Sequence, residues 1–298
     1  MKRGRVTVAI IAALACAGCD NREDSAAAPG SESAVLETRM ERLTASLGDA
    51  KPGASQDEPI ARWLLPASLA ELSGLALTPD GRLFAHNDEV ARITEIDYRR
   101  GTVIKQFFVG QLRGDFEGLT CAGDRFYLLS SDGTLYEFRE GADGERVAYA
   151  EHKTGLGKEC EFEGVAYDAK ADALVLACKN ARAKHHGNLV LYRYRLGGNG
   201  EEPSELTVPH SEVIGKNNWK QLRPTDITVD PSNGNYVLVA AQEKALVEVT
   251  PAGGVVLSRP LGARHPQSEA VAITKDHILI VGDESNRTAA TITLYRWQ

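Results

Sequence analysis

A surplus of basic charge is missing from this chain: 34 Lys and Arg stand against 41 Asp and Glu, a net charge of −7 at pH 7. Nucleic acid is a poor partner for so acidic a protein, because phosphate contacts need clustered cations. Missing too is any apolar run near the ~20 residues that a membrane-spanning helix requires. The run at residues 6–17 stops well short of that length. No Gly-rich phosphate loop follows a strand and opens a helix, and Ser, His and Asp occur outside any nucleophile-elbow context. Cysteine is scarce, five in 298 residues, so each one can be placed individually.

Two of the five sit at the N-terminus. Lys2, Arg3 and Arg5 precede the apolar stretch, and Ala17-Gly18-Cys19 follows it, the layout of a secretory signal with a small-residue cleavage site. A cysteine directly after the small residues resembles a bacterial lipoprotein signal and makes Cys19 the lipidated first residue of the mature chain. Cys16 as acceptor, or simple cleavage, is the alternative. Asp20 after the acceptor matches the retention rule of enteric lipoproteins, which favours the periplasmic side of the inner membrane. Loss of residues 1–18 removes three basic residues and no acidic one, taking the net charge from −7 to about −10. Residues 19–58 are rich in Ser, Ala, Gly, Pro and charge, too poor in large apolar groups to order themselves, and read as a flexible tether. Inside it Leu36, Met40, Leu43 and Leu47 recur at helical spacing, which predicts a short helix, transient or docked.

From residue 59 to 298 apolar runs of five to seven residues alternate with turn signals such as Pro79-Asp80-Gly81, Ser131-Asp132-Gly133 and Pro231-Ser232-Asn233-Gly234, the pattern of an all-β domain. One phrase returns five times: Glu71-Leu72-Ser73-Gly74-Leu75, Asp115-Phe116-Glu117-Gly118-Leu119, Glu161-Phe162-Glu163-Gly164-Val165, Pro224-Thr225-Asp226-Ile227-Thr228 and Gln267-Ser268-Glu269-Ala270-Val271. The third residues lie about 44, 46, 63 and 43 positions apart, the period of one four-stranded propeller blade. Five blades result, with the surplus in the long interval assigned to insertions at residues 180–187 and 197–222. The last blade ends at its third strand, which would leave an open edge. Ile60-Ala61-Arg62-Trp63-Leu64-Leu65 can supply the fourth strand and close the ring; an extended linker that packs its tryptophan is the other reading.

In a propeller the first strand of each blade lines the central channel, so Ser73, Glu117, Glu163, Asp226 and Glu269 form a ring. Four carboxylates around one axis repel one another, which raises their pKa values or calls for a cation. An oxygen-only donor set suits Ca²⁺, and Glu117, Glu163, Asp226 and Glu269 are its candidate ligands. The same side chains can instead accept bonds from backbone amides of the next blade, and a subset can do each. Asn87-Asp88-Glu89, Ser131-Asp132, Lys179, Gln242-Glu243 and Asp283-Glu284, at the ends of second strands, would rim one mouth of the channel. Cys160 and Cys178 flank the hairpin of the third blade, close enough in register to bridge in an oxidising periplasm or to stay buried thiols; Cys121 reads as a small core residue. His185-His186 reads as part of a solvated basic loop.

With these phrases in order, the chain resembles the SdiA-regulated family of exported bacterial β-propellers, distantly akin to NHL-repeat propellers. The resemblance implies a five-bladed ring, a bound calcium ion and no established enzymatic activity, and it carries calcium binding only loosely onto Glu117, Glu163, Asp226 and Glu269. Two functions follow as expectations. The first is a membrane-tethered, calcium-binding module whose channel mouth engages an envelope protein or small ligand; the second is a calcium-dependent hydrolase of the lactonase or esterase type.

Overall fold

The computed structural model describes residues 58–197 and 202–297, together with Thr38, Glu41, Leu43 and Ala45. The signal at 1–18, Cys19 and most of the tether lie outside the described residues. Strands β2 to β5 form the first blade: β2 (Leu72–Leu77), β3 (Leu83–Asn87), β4 (Val90–Asp97) and β5 (Thr102–Arg113). The short β9 (Arg146–Val147) adds to its outer edge in parallel. The second blade is β6 (Phe116–Ala122), β7 (Arg125–Ser130), β8 (Thr134–Arg139) and β10 (Tyr149–Lys153), and the third is β11 (Cys160–Asp168), β12 (Ala173–Ala181), β13 (Asn188–Arg195) and β14 (Ser204–Pro209). The fourth is β15 (Asp226–Val229), β16 (Tyr236–Ala240), β17 (Ala245–Val249) and β18 (Val255–Pro260). In the fifth, β19 (Ser268–Ile273), β20 (Ile278–Asp283) and β21 (Thr291–Arg296) are completed by β1 (Ala61–Leu64), which pairs antiparallel with β21 from Ala61 opposite Leu294 to Leu64 opposite Thr291. The chain is a five-bladed β-propeller whose N-terminal strand closes the ring.

Burial follows from the stacking of blades. Middle strands are covered on both faces by their neighbours, so β16 (YVLVA) and β17 (ALVEV) are buried at every position and, Glu248 apart, read as continuous apolar runs rather than alternating ones. Outer strands lose that cover, and β10 is exposed at four of its five positions. The core is accordingly split into five clusters, each between adjacent blades: Phe84, Phe107, Phe116 and Phe126 between the first and second, for example, and Val239, Leu246, Val271 and Val281 between the fourth and fifth.

Two details refine the sequence reading. The interval assigned to an insertion at residues 197–222 contains β14, the outer strand of the third blade, followed by a one-turn helix α1 (His210–Ile214) and a loop to β15. The alternation of Ser204–Pro209 is masked by its exposure, with polar residues on the outside of the ring. Leu43 of the tether stripe is helical and buried among Leu65, Leu69 and Leu72 between the fifth and first blades, so at that residue the segment docks on the propeller.

Candidate functional site

The five inner strands contact one another in a closed circle, and each begins at the mouth where the repeated phrase lies. Four of the ring positions sit on β-bulges: pairing slips at Ser73 between Leu72 and Gly74, at Glu117, at Glu163 and at Glu269. A bulge inserts an unpaired residue and re-aims its side chain. The small residue after it, glycine in three copies and Ala270 in the fourth, lets the inner strands close on the axis: a Cβ on Gly118 would stand 2.8 Å from the Val165 nitrogen, and one on Gly164 2.8 Å from the Asp226 Cα.

Asp226 is the exception. β15 pairs without a slip from Asp226 opposite Val239, and its carboxylate is turned inward with no exposed surface. One oxygen accepts the Ile227 N–H at 2.8 Å, the other the Val271 N–H at 2.8 Å, and the Leu75 N–H also donates to it. Inner strands have one unpaired edge facing the channel, so their amides need such an acceptor. Asp226 thereby ties the fourth blade to the fifth and the first. Burial pushes its carboxyl well above the usual range, against the opposing pull of the three amides.

The other three acids form the mouth. Glu163 is paired with Lys179 of β12, Oε1 to Nζ at 2.7 Å. Burial raises its carboxyl to about 6 while the lysine pulls it down. Burial and then the charges of Glu163 and Asp115 push Glu117 up to about 9; the Ser73 hydroxyl donates to Glu117 at 3.4 Å. Burial and then the charge of Glu163 push Glu269 up to about 8. Burial disfavours the Lys179 ammonium, but its bond to Glu163 and the charges of Glu163, Glu269 and Glu117 outweigh that and hold its pKa above the ordinary value. Lys179 is thus the ammonium to which all three acids couple.

A second tier of acids surrounds these. Glu71 is raised by Asp88 first and then by its slight burial and Glu89; Asp88 is raised by burial, with Glu89 and Asp115 adding to it; Glu284 is raised by burial, Asp88 and Glu71. Asn87 at the end of β3 is buried, and its Oδ1 has no hydrogen-bond partner among the described residues. Of the predicted rim, Asp88, Lys179 and Glu284 face this field. Glu243 pairs instead with Arg223, Oε1 to Nε at 3.7 Å. Asp132 closes its own turn by accepting from Ser130 and Thr134, and Asp283 is buried against His265 Nδ1 at 2.7 Å. A disulfide joins Cys160 and Cys178 with Cα atoms 5.7 Å apart and pins the hairpin that carries Glu163 and Lys179. Cys121 is a buried free thiol, and His185, expected in a solvated loop, is instead buried in the third blade against Glu205 at 3.1 Å.

Sequence reasoning overlooked His86, which is fully enclosed beside Gly74, donates through Nδ1 to the Asn87 carbonyl (2.9 Å), and is driven down to about 4 by burial. A histidine inside an otherwise apolar second strand, Leu-Phe-Ala-His-Asn, was the available signal. Oxygen donors dominate the mouth, yet among the described residues no three Asp, Glu, His or Cys side chains converge as a metal-ligand cluster.

No protein-family model matches the chain, and no curated protein is recognisably similar to it in sequence. Solved structures are similar in fold. A glutaminyl cyclase from Myxococcus xanthus superposes with a TM-score of 0.53 at 15% identity, over 81% of this chain and 97% of that one. The PQQ-bound aldose sugar dehydrogenase of Streptomyces coelicolor gives 0.47 at 14% identity over 83% and 99%. A gluconolactonase from Xanthomonas campestris gives 0.44 at 12% identity over 76% and 72%. At these identities the likeness is one of fold, and the chain stands among the β-propellers.

Proposed function

We propose that this protein is a membrane-tethered binding module of the cell envelope whose acidic channel mouth takes a cation, calcium being the ion its donors suit. One observation carries the reading: bulges turn three carboxyls to one mouth, where burial first and the charge of Glu163 second push Glu117 up to about 9 and Glu269 to about 8. A cation relieves that repulsion. The Oδ1 of Asn87, next in the chain to Asp88, is a buried neutral oxygen without a hydrogen-bond partner among the described residues, and mixed oxygen donors suit Ca²⁺. The four-carboxylate ring expected from the sequence does not fit as a whole, because Asp226 is engaged by three amides. Glu117, Glu163 and Glu269 are the acids left to hold the ion, and it competes there with the Lys179 ammonium. The membrane tether rests on Cys19 and the tether composition; the ligand engaged at the mouth is an envelope protein or a small molecule.

A folded-state ligand stabilises by roughly 2.7 kcal/mol at a hundredfold excess over Kd. Added Ca²⁺ should therefore raise the melting temperature of EDTA-treated protein by several degrees. Lys179→Met, which removes the competing ammonium, should strengthen the response, and Glu117→Gln should weaken it. A melting curve indifferent to both EDTA and Ca²⁺, in wild type and Lys179→Met alike, rules the ion out. Replacement of Cys19 by alanine should release the protein from the membrane fraction, and unchanged association excludes Cys19 as the anchor.

A hydrolase is the second reading, favoured by the spread of the same carboxyls. Glu163 near 6 is ionised at neutral pH while Glu117 near 9 holds its proton, a base beside an acid in one cleft. Turnover of lactones or aryl esters that Glu163→Gln abolishes would establish it. Absence of turnover with and without Ca²⁺ leaves the binding module.

A further inference from the structure

The opposite end of the channel holds a second chamber, a cavity of about 850 Å³ lined by all five blades where the inner strands end. Its floor is formed by Leu75, Val165 and Ile227, directly beyond the glycine layer and the Asp226 tie. Its walls carry the apolar side chains of Leu77, Tyr167, Val229 and Ile273 interleaved with Thr120, Thr228 and Thr274, and Ile104 at the edge is more than half exposed. A concave volume in this range, with apolar side chains inside and charged groups at its rim, is the form of a small-molecule site.

The charges at its rim are unevenly committed. Asp80 is bound by Arg82 at 3.0 Å, Asp276 by Arg99 at 2.7 Å, and Asp97 by Arg100 at 2.8 Å. Glu95 lies between Arg82 at 3.5 Å and Lys105 at 3.8 Å. Asp168 and Asp230 are buried and turned away, the first onto its own turn and the Tyr236 hydroxyl, the second onto its own turn and the Trp297 indole. Lys170 and Lys275 differ. The Lys170 ammonium donates to the Asn233 carbonyl at 2.9 Å and the Lys275 ammonium to the Pro79 carbonyl at 2.8 Å, and neither meets a carboxylate among the described residues. These two full positive charges, on flexible stems at opposite sides of an apolar funnel, are matched only by neutral partners.

We infer that this funnel binds a small amphiphile, an acyl or aryl body seated on Leu77, Tyr167, Val229 and Ile273 with a carboxylate reaching Lys170 or Lys275. Anions gain a charge-assisted bond there that a cation of the same length cannot, and the acidic mouth at the far end plays no part. Dodecanoate below its micelle concentration is the probe, followed by calorimetry on the intact protein, with dodecylammonium as the charge-reversed control. Saturable one-to-one binding is expected for dodecanoate, at least tenfold weaker for dodecylammonium. Lys170→Met/Lys275→Met should weaken dodecanoate at least fivefold and leave dodecylammonium unweakened. Val229→Asp should abolish binding of dodecanoate, whereas Glu117→Gln at the mouth should leave it unchanged. Both lysines are exposed and carry no buried contact, so their double variant keeps the test decisive even where Val229→Asp fails to fold. Absence of saturable binding, equal affinity for the two amphiphiles, binding lost on Glu117→Gln, or association only with vesicles of anionic phospholipid would each overturn the inference.

Discussion

The same five inner strands carry opposite chemistry at their two ends. At the end where they begin, bulges turn Glu117, Glu163 and Glu269 toward the axis, and a single lysine couples to all three. At the end where they finish, regular pairing leaves Leu77, Val229 and Ile273 around an apolar funnel. Between them the glycines and Asp226 draw the strands together. Strand identity therefore does not decide what a propeller channel presents; the pairing register at each level does.

Opening the ring should harm both ends together and most severely. Truncation through Pro66 removes β1 along with the packing of Trp63 and Leu65, and at about 1.5–3 kcal/mol per large apolar side chain it should cost about 5 kcal/mol or more. Truncation through Asp57 removes Leu43, which is buried, and should cost about 1–3 kcal/mol. Urea unfolding of the two proteins separates these figures; equal losses would place the closure elsewhere.

Asp226→Ala should rank second. Three buried amides lose their acceptor, each at about 1–3 kcal/mol, so a loss of about 3–9 kcal/mol in urea unfolding is expected. Glu117→Gln at the nominally equivalent position should stay within about 1 kcal/mol at pH 5, where Glu117 is already protonated. Similar costs for the two would erase the distinction between bulged and unbulged ring positions.

The pH dependence should isolate the mouth. Glu117, Glu269 and Glu163 titrate at about 9, 8 and 6 in the folded state against an ordinary 4.5, so the folded protein holds protons that the unfolded chain has released. Stability without a bound cation is then greatest below pH 4.5 as far as these groups are concerned, and falls as pH climbs through 6, 8 and 9. Melting curves from pH 5 to 9 should decline, Glu117→Gln should flatten the upper part of the decline, and Ca²⁺ should act more strongly at pH 8 than at pH 5.5. A flat profile between pH 5 and 9 would mean that water or the Lys179 ammonium already neutralises the mouth.

The smallest effect belongs to the funnel. Lys170→Met/Lys275→Met exchanges two exposed bonds to carbonyls for nothing and should shift stability by less than about 1 kcal/mol; a larger loss in thermal melting would show that the two lysines hold blades together.

Blade number, strand order and closure were legible in the sequence because they depend on period and patterning. The phrase around Glu117 and the run Ile60-Leu65 are local signals, and register follows once alternation and turns are fixed. The division of labour among the acids was less legible, although a signal existed: the residue after the acid is Gly118, Gly164 or Ala270 in the bulged copies but Ile227 beside Asp226. A small residue permits the close approach that accompanies the bulge, and isoleucine does not. The pairing of Glu163 with Lys179 joins two strands across a hairpin, and the funnel gathers residues from five blades; neither has a spacing within one phrase to reveal it.

Closure by β1 also sets an order of events. Ala61 and its partner Leu294 are separated by about 230 residues, so β1 waits for β21 before either edge is covered. At roughly 5–20 residues per second that interval lasts on the order of ten seconds or more, during which the pairing edge of β1 has no partner strand. Closure of the ring is thus bound to synthesis of β21, and a form clipped between β1 and the propeller would leave the edge of β21 open to the β1 of a second copy.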